Sequence, residues 1–100
     1  MALTSEKIKT YRRIGHRLKP VVILSENGLS EGVLNELQRA LRDHELIKVK
    51  INAGDREIRQ QLIELMCQQT GAELVQKIGN IALIFKAADK PNPRLSNLLR

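Results

Sequence analysis

Aromatic residues are nearly missing from this 100-residue chain, which has no tryptophan and only Tyr11 and Phe85 as rings. A protein that holds single strands by stacking bases on exposed rings needs several, so a stacking platform of that kind is not expected. Cysteine is limited to Cys67, which excludes an internal disulfide and, in a helical pattern, is expected to fill core space. With only His16 and His44 beside it, at no ligand spacing, no metal centre is expected. No apolar stretch nears the roughly 20 residues that span a bilayer. The N-terminus, with Glu6 and Lys7 and no apolar core, is not a signal peptide, so the expectation is a cytoplasmic protein with no membrane partner. The chain also lacks a Walker or dinucleotide glycine loop and any nucleophile or acid–base set. Neither catalysis, nor a cofactor, nor a small-molecule substrate is therefore expected.

What is present is cationic charge, and it is segregated. The formal net charge is +6. Residues 1–19 carry Lys7, Lys9, Arg12, Arg13, Arg17 and Lys19 against Glu6 alone, and from Lys86 onward Lys90, Arg94 and Arg100 join it against Asp89. The middle of the chain is slightly acidic. Clustered cations share a field that scattered ones do not, so a polyanion is the expected partner; charge alone leaves RNA, DNA and anionic lipid open.

The apolar periodicity reads as one domain, residues 1–88, in the order α-β-α-β-α-β-β, followed by a basic tail over 89–100. Ile8, Tyr11, Ile14 and Leu18 fall at helical spacing from Thr4 to about Arg17, which turns Lys9, Arg12, Arg13 and His16 to the opposite side. Pro20 ends that helix, and Val21-Val22-Ile23-Leu24, wholly apolar, reads as a buried central strand. After the turn Ser25-Glu26-Asn27-Gly28, Ser30 caps a second helix running to about Asp43. Alternation from Leu46 to Ile51 puts Ile47, Val49 and Ile51 on one face and Lys48 and Lys50 on the other. Asp55 opens a third helix with Ile58, Leu62, Leu65 and Met66 as its buried stripe, closing at Gly71. Residues 73–78 and 81–85 read as a hairpin about Gly79-Asn80. Right-handed crossovers make strands one to three parallel and strand four antiparallel, a two-layer α/β sandwich on a four-stranded mixed sheet. Beyond Ala88 the absence of periodicity predicts a mobile end.

The turn Ser25-Glu26-Asn27-Gly28 before Leu29-Ser30-Glu31-Gly32-Val33, then His44-Glu45-Leu46-Ile47-Lys48-Val49-Lys50, resembles the CRM domain family of chloroplast RNA splicing and ribosome maturation. The likeness extends through Leu18-Lys19-Pro20 and Val75-Gln76-Lys77-Ile78-Gly79, covers about residues 3–86, and in length matches the stand-alone, YhbY-like bacterial form. It implies a fold similar to the C-terminal domain of translation initiation factor three. It also implies an RNA-binding module associated with precursors of the large ribosomal subunit, with ribosomal RNA as partner.

The family carries a Gly-x-x-Gly loop between first strand and second helix, similar to the loop with which KH domains clamp a nucleic-acid backbone. Here Gly28 keeps the second glycine, Ser25 replaces the first, and Glu26 adds a negative charge. Ser25, Asn27 and Gly28 are candidate contacts, set against a plain strand-to-helix turn. For Lys9, Arg12, Arg13, His16 and Lys19 the bland alternative is a solvated face. Surface helices normally mix signs, however, and no acid occurs between Lys7 and Lys19, which favours phosphate contact. Lys48 and Lys50 either extend that surface or merely keep a sheet soluble. Arg56 and Arg59 are open in the same way, either added basic surface or partners of the adjacent Asp55 and Glu57, and are not counted. Recognition is expected to rest on backbone, shape and the 2′-hydroxyl of structured RNA. Two rivals stay open on the residues alone: a DNA-coating architectural protein and a protein-interaction adaptor on the ribosome.

Overall fold

The computed structural model describes residues 3–99; Met1, Ala2 and Arg100, at the outer ends of the domain and tail expected from sequence, lie outside the described residues. The elements are α1 (Ser5–Gly15), β1 (Pro20–Ser25), α2 (Glu31–His44), β2 (Leu46–Asn52), α3 (Arg56–Thr70), β3 (Glu73–Ile78) and β4 (Ile81–Phe85). Each helix starts where a short polar side chain can satisfy free N–H groups. Thr4 accepts from Lys7 N, Ser30 from Val33 N, and Asp55 from Glu57 N and Ile58 N. Gly71, at φ 81°, ends α3 in the left-handed region that glycine adopts without strain.

The sheet order is β1-β2-β4-β3. β1 pairs parallel to β2, and β4 lies antiparallel between β2 and β3, so strands one to three share a direction as the crossover rule requires. β1 is thus an edge strand, which corrects its reading as a buried central one. Val22 and Leu24 are buried, but Val21 and Ile23 are 50% and 60% exposed. A wholly apolar run does not say whether both faces of its strand are covered.

One face of the sheet packs on α2 and α3. Val22, Leu24, Val49, Ile51 and Ile84 meet Leu37, Leu41, Leu62 and Met66 there, forming the main core. On α3 the buried residues are Leu62, Ile63, Met66 and Thr70, while Ile58 and Leu65 are 38% exposed. The helix is turned from the expected stripe because its seam also accommodates Ile63. The opposite face takes α1: Ile8, Tyr11, Ile14 and Leu18 cover Leu46, Val75 and Leu83, with the Tyr11 and Phe85 rings 4.9 Å apart. Burial, and after it the Glu45 carboxylate, push the Tyr11 hydroxyl above the ordinary tyrosine pKa. Helix and sheet come close at Gly15, where a Cβ would lie 2.5 Å from Leu83 Cδ2.

Residues 89–99, expected as a mobile tail, are docked. Ser96 is fully buried and donates its hydroxyl to Glu45 Oε1 at 2.7 Å, while Ala88 N donates to Glu45 Oε2 at 2.9 Å. Asn97 donates through Nδ2 to Leu46 O and through its backbone to His44 O, and His44 Nδ1 lies 2.8 Å from Leu95 O. Leu98 packs on the cluster beneath α1. Individual polar contacts hold this segment, so apolar periodicity could not reveal it. Glu45 itself holds φ 62°, ψ −47° at the junction of α2 and β2, a region that non-glycine residues rarely occupy.

Two outcomes follow for stability. Glu45→Ala loses two charge-assisted hydrogen bonds and costs about 3 kcal/mol, whereas Glu45→Gly costs about 1 kcal/mol less by relieving the backbone. Urea denaturation measures both, and equal losses would mean that the turn is unstrained. Gly15→Ala overpacks the Leu83 contact at about 1–3 kcal/mol, more than the gain of up to about 1 kcal/mol in helix propensity. A variant as stable as the parent would show that α1 can lift without loss.

Candidate nucleic-acid interface

The acid-free run forms a shallow groove where α1 meets β3. Lys9, Arg12, Arg13, His16 and Arg17 line one wall, and Gln76 and Ile78 the other. The apolar stripe of α1 faces the sheet, so helical geometry turns the intervening cations to this wall. With the Gln76 amide oxygen turned toward α1, it accepts from Arg12 Nε at 3.1 Å and from its terminal nitrogen at 3.2 Å. That contact orders one guanidinium by a neutral partner, which leaves its charge uncompensated. Lysine and arginine held beside one another without a carboxylate suit a polyanionic backbone.

Lys48 joins this region. It lies in a cleft with His16, Gln76 and Leu83 on one side and in another with Arg17, Lys19 and His44 on the other. Lys50 stands one pleat further along β2, exposed, on the same face. The structure thus brings Lys9, Arg12, Arg13, His16, Lys19 and Lys48 to one continuous side of the molecule. Ser25, Asn27 and Gly28 lie apart from the α1 groove, at the far end of β1. There Gly28 N donates to Ser25 O at 3.0 Å to close the turn, and Gly28 takes φ 85°. Glu26 accepts from Gly54 N at 3.3 Å, so its carboxylate is engaged by the next loop. Ser30 already occupies Val33 N, which leaves fewer free N–H groups at the start of α2 than a bare helix end would have.

Sequence reasoning passed over Arg17, Gln76 and Ile78 as parts of this wall. Arg17 belongs to the same acid-free run and was discoverable. Gln76 and Ile78 meet α1 only through the fold, and an isolated glutamine on a strand carries no signal. Of the two readings left open for Arg56 and Arg59, pairing with Asp55 is not seen among the described residues. Asp55 caps its own helix, while Arg59 donates to Ala53 O at 2.9 Å and Gly54 O at 3.1 Å and so ties down the loop before α3. Cys67 is partly buried against the main core, and burial pushes its thiol pKa up, away from the reactive thiolate. Among the described residues no group of histidine, cysteine and carboxylate side chains is placed to hold a metal ion, and no helix is long and apolar enough to cross a membrane.

Residues 3–86 match the family model of the CRS1/YhbY (CRM) domain. The chain belongs to the CRM domain family. A Pseudomonas aeruginosa protein carrying the name "Probable RNA-binding protein PA4753" is 54% identical over 100 residues, covering 100% of this chain and 96% of that protein. A Haemophilus influenzae protein named "RNA-binding protein" is 42% identical over 96 residues, covering 95% and 97%. Among solved structures, a Staphylococcus aureus protein described as a candidate RNA-binding protein superposes with a TM-score of 0.77 at 26% identity, over 89% of this chain and 93% of its own. The α-β-α-β-α-β-β order and mixed sheet of this CRM domain are shared with that structure.

The Gln76 contact is testable alone. Gln76→Leu should free the Arg12 side chain while changing stability by less than about 0.5 kcal/mol, as expected for a partly exposed site. The Arg12 Nε–H signal in NMR should then exchange faster with water. An unchanged signal would mean that Gln76 does not order the guanidinium.

Proposed function

We propose that this CRM domain binds structured RNA, that its target is ribosomal RNA in precursors of the large subunit, and that it acts in the cytoplasm during subunit assembly. The observation that carries the RNA reading is the α1 groove, in which five cationic or titratable side chains converge without an acid. The names of its relatives point the same way. The ribosomal target comes from the family resemblance. In this reading Lys9, Arg12, Arg13, His16 and Arg17 neutralise phosphates and set the register of the domain on its ligand, with Lys19 and Lys48 extending the contact. The reading assigns no chemical step to the protein.

Binding to fragments of precursor large-subunit rRNA and to duplex DNA of matched length, across a salt series, tests it. RNA should be preferred, with log K falling against log salt at a slope of about −3.6 if about four contacts are made at duplex charge density. The triple variant Lys9→Glu, Arg12→Glu, Arg13→Glu should lose most of the affinity. Equal affinity for DNA would favour a DNA-coating role. Binding to ribosomal particles that persists after nuclease and high salt would favour a protein adaptor.

A further inference from the structure

α1 covers only one end of its face of the sheet, and the rest lies open. Strand register places Ile23, Lys50, Ile81 and Ile78 in one cross-strand row over all four strands. Ile23 is 60% and Ile78 63% exposed, Lys50 is exposed and Ile81 half-buried. The row on the α1 side holds Lys48, Leu83 and Gln76, and the one beyond holds Ser25 and Asn52. The open face therefore runs from the α1 groove to the Ser25–Gly28 turn, about 13 Å at the rise of a strand. None of the side chains that alternation directs onto it in these rows is acidic.

A row of exposed branched aliphatics interrupted by a lysine is costly in water unless something covers it. We infer that the open sheet face seats unpaired nucleotides, so that the preferred ligand is an RNA in which a single-stranded segment adjoins the helix held by α1. Nucleobases present flat, weakly polar faces that pack on Ile23, Ile81 and Ile78, while their phosphates complete Lys48 and Lys50. One ligand thus satisfies both chemistries of the row. A second copy of the chain stacked face to face would bring lysines against lysines, and a purely apolar partner would leave those charges buried. Tyr11 and Phe85 face each other beneath α1, so the apolar contact falls to isoleucines, and it is the unpaired base, unavailable in a duplex, that reaches them. This inference rests on the RNA reading of α1.

The test uses three proteins: the parent, Ile23→Thr/Ile78→Thr, and the α1 triple variant. Threonine keeps β-branching, and both sites are exposed, so the fold should be retained; circular dichroism and thermal melting check this. The probes are a blunt RNA hairpin and the same hairpin with a single-stranded pyrimidine overhang. The parent should bind the overhang form about tenfold more tightly, the size of effect that covering part of two isoleucines gives. The double threonine variant should bind the two hairpins with about equal affinity, and its salt slope, set by the cations, should match that of the parent. The α1 variant should weaken on both probes. A parent that does not discriminate, or a threonine variant that still does, overturns the seat and leaves the α1 reading standing. A parent that binds neither hairpin overturns both. Sedimentation showing a parent dimer that the threonine variant converts to monomer would assign the face to self-association instead.

Discussion

The Glu45 carboxylate is the contact on which the arrangement of this domain turns. One residue separates α2 from β2, and its backbone must reverse direction there, which puts Glu45 at positive φ with its N–H donating to Leu41 O at 2.8 Å. Such a conformation persists only when its surroundings over-determine it. Glu45 O accepts from Lys86 N at the exit of β4, and its two side-chain oxygens take Ala88 N and the Ser96 hydroxyl. The carboxylate also acts on Tyr11, from α1. Elements from the start, middle and end of the chain therefore meet at one buried anion.

That junction helps decide what is covered. The docked segment 89–99 sends Leu98 into the cluster beneath α1, so the C-terminus supports the same end of the sheet on which the first helix lies. Gly15 removes the side chain that would hold α1 away from Leu83. Covered there by helix and tail, the face is left bare over the row from Ile23 to Ile78. The open surface is thus the counterpart of a well-anchored first helix.

Element order, caps and strand directions were legible in the sequence because each rests on local chemistry: Thr4, Ser30 and Asp55 as caps, Gly71 as a terminator, Gly79-Asn80 as a two-residue turn, and alternation in β2. The cationic wall was legible too, since an acid-free run on an amphipathic helix fixes which side its charges take. What escaped depends on contacts between distant residues. Val21 and Ile23 do not announce an edge strand, Ile63 does not announce the rotation of α3, and Ser96 does not announce that Glu45 awaits it. Gln76 enters the wall only because β3 and α1 are neighbours. The loop candidates occupy a different end of β1 from the helix candidates, a separation that only strand length and register reveal.

The distribution of sign ties these observations to orientation. α1 carries Glu6 against Lys7, Lys9, Arg12 and Arg13, whereas α2 mixes Glu31, Glu36 and Asp43 with Arg39 and Arg42, and α3 mixes Glu57 and Glu64 with Arg56 and Arg59. The two helices on the other face are therefore close to neutral. A uniformly basic domain of the same net charge would attract a polyanion on every side, and its approach would carry no orientation. Here the field is concentrated on the face that also holds the bare sheet, so long-range attraction presents that face first, and the contacts proposed for Ile23, Lys50 and Ile78 would come into reach without a search over the surface. In the proposed reading, charge placement and the uncovered sheet thus act in sequence, the first orienting the domain and the second discriminating among what it meets.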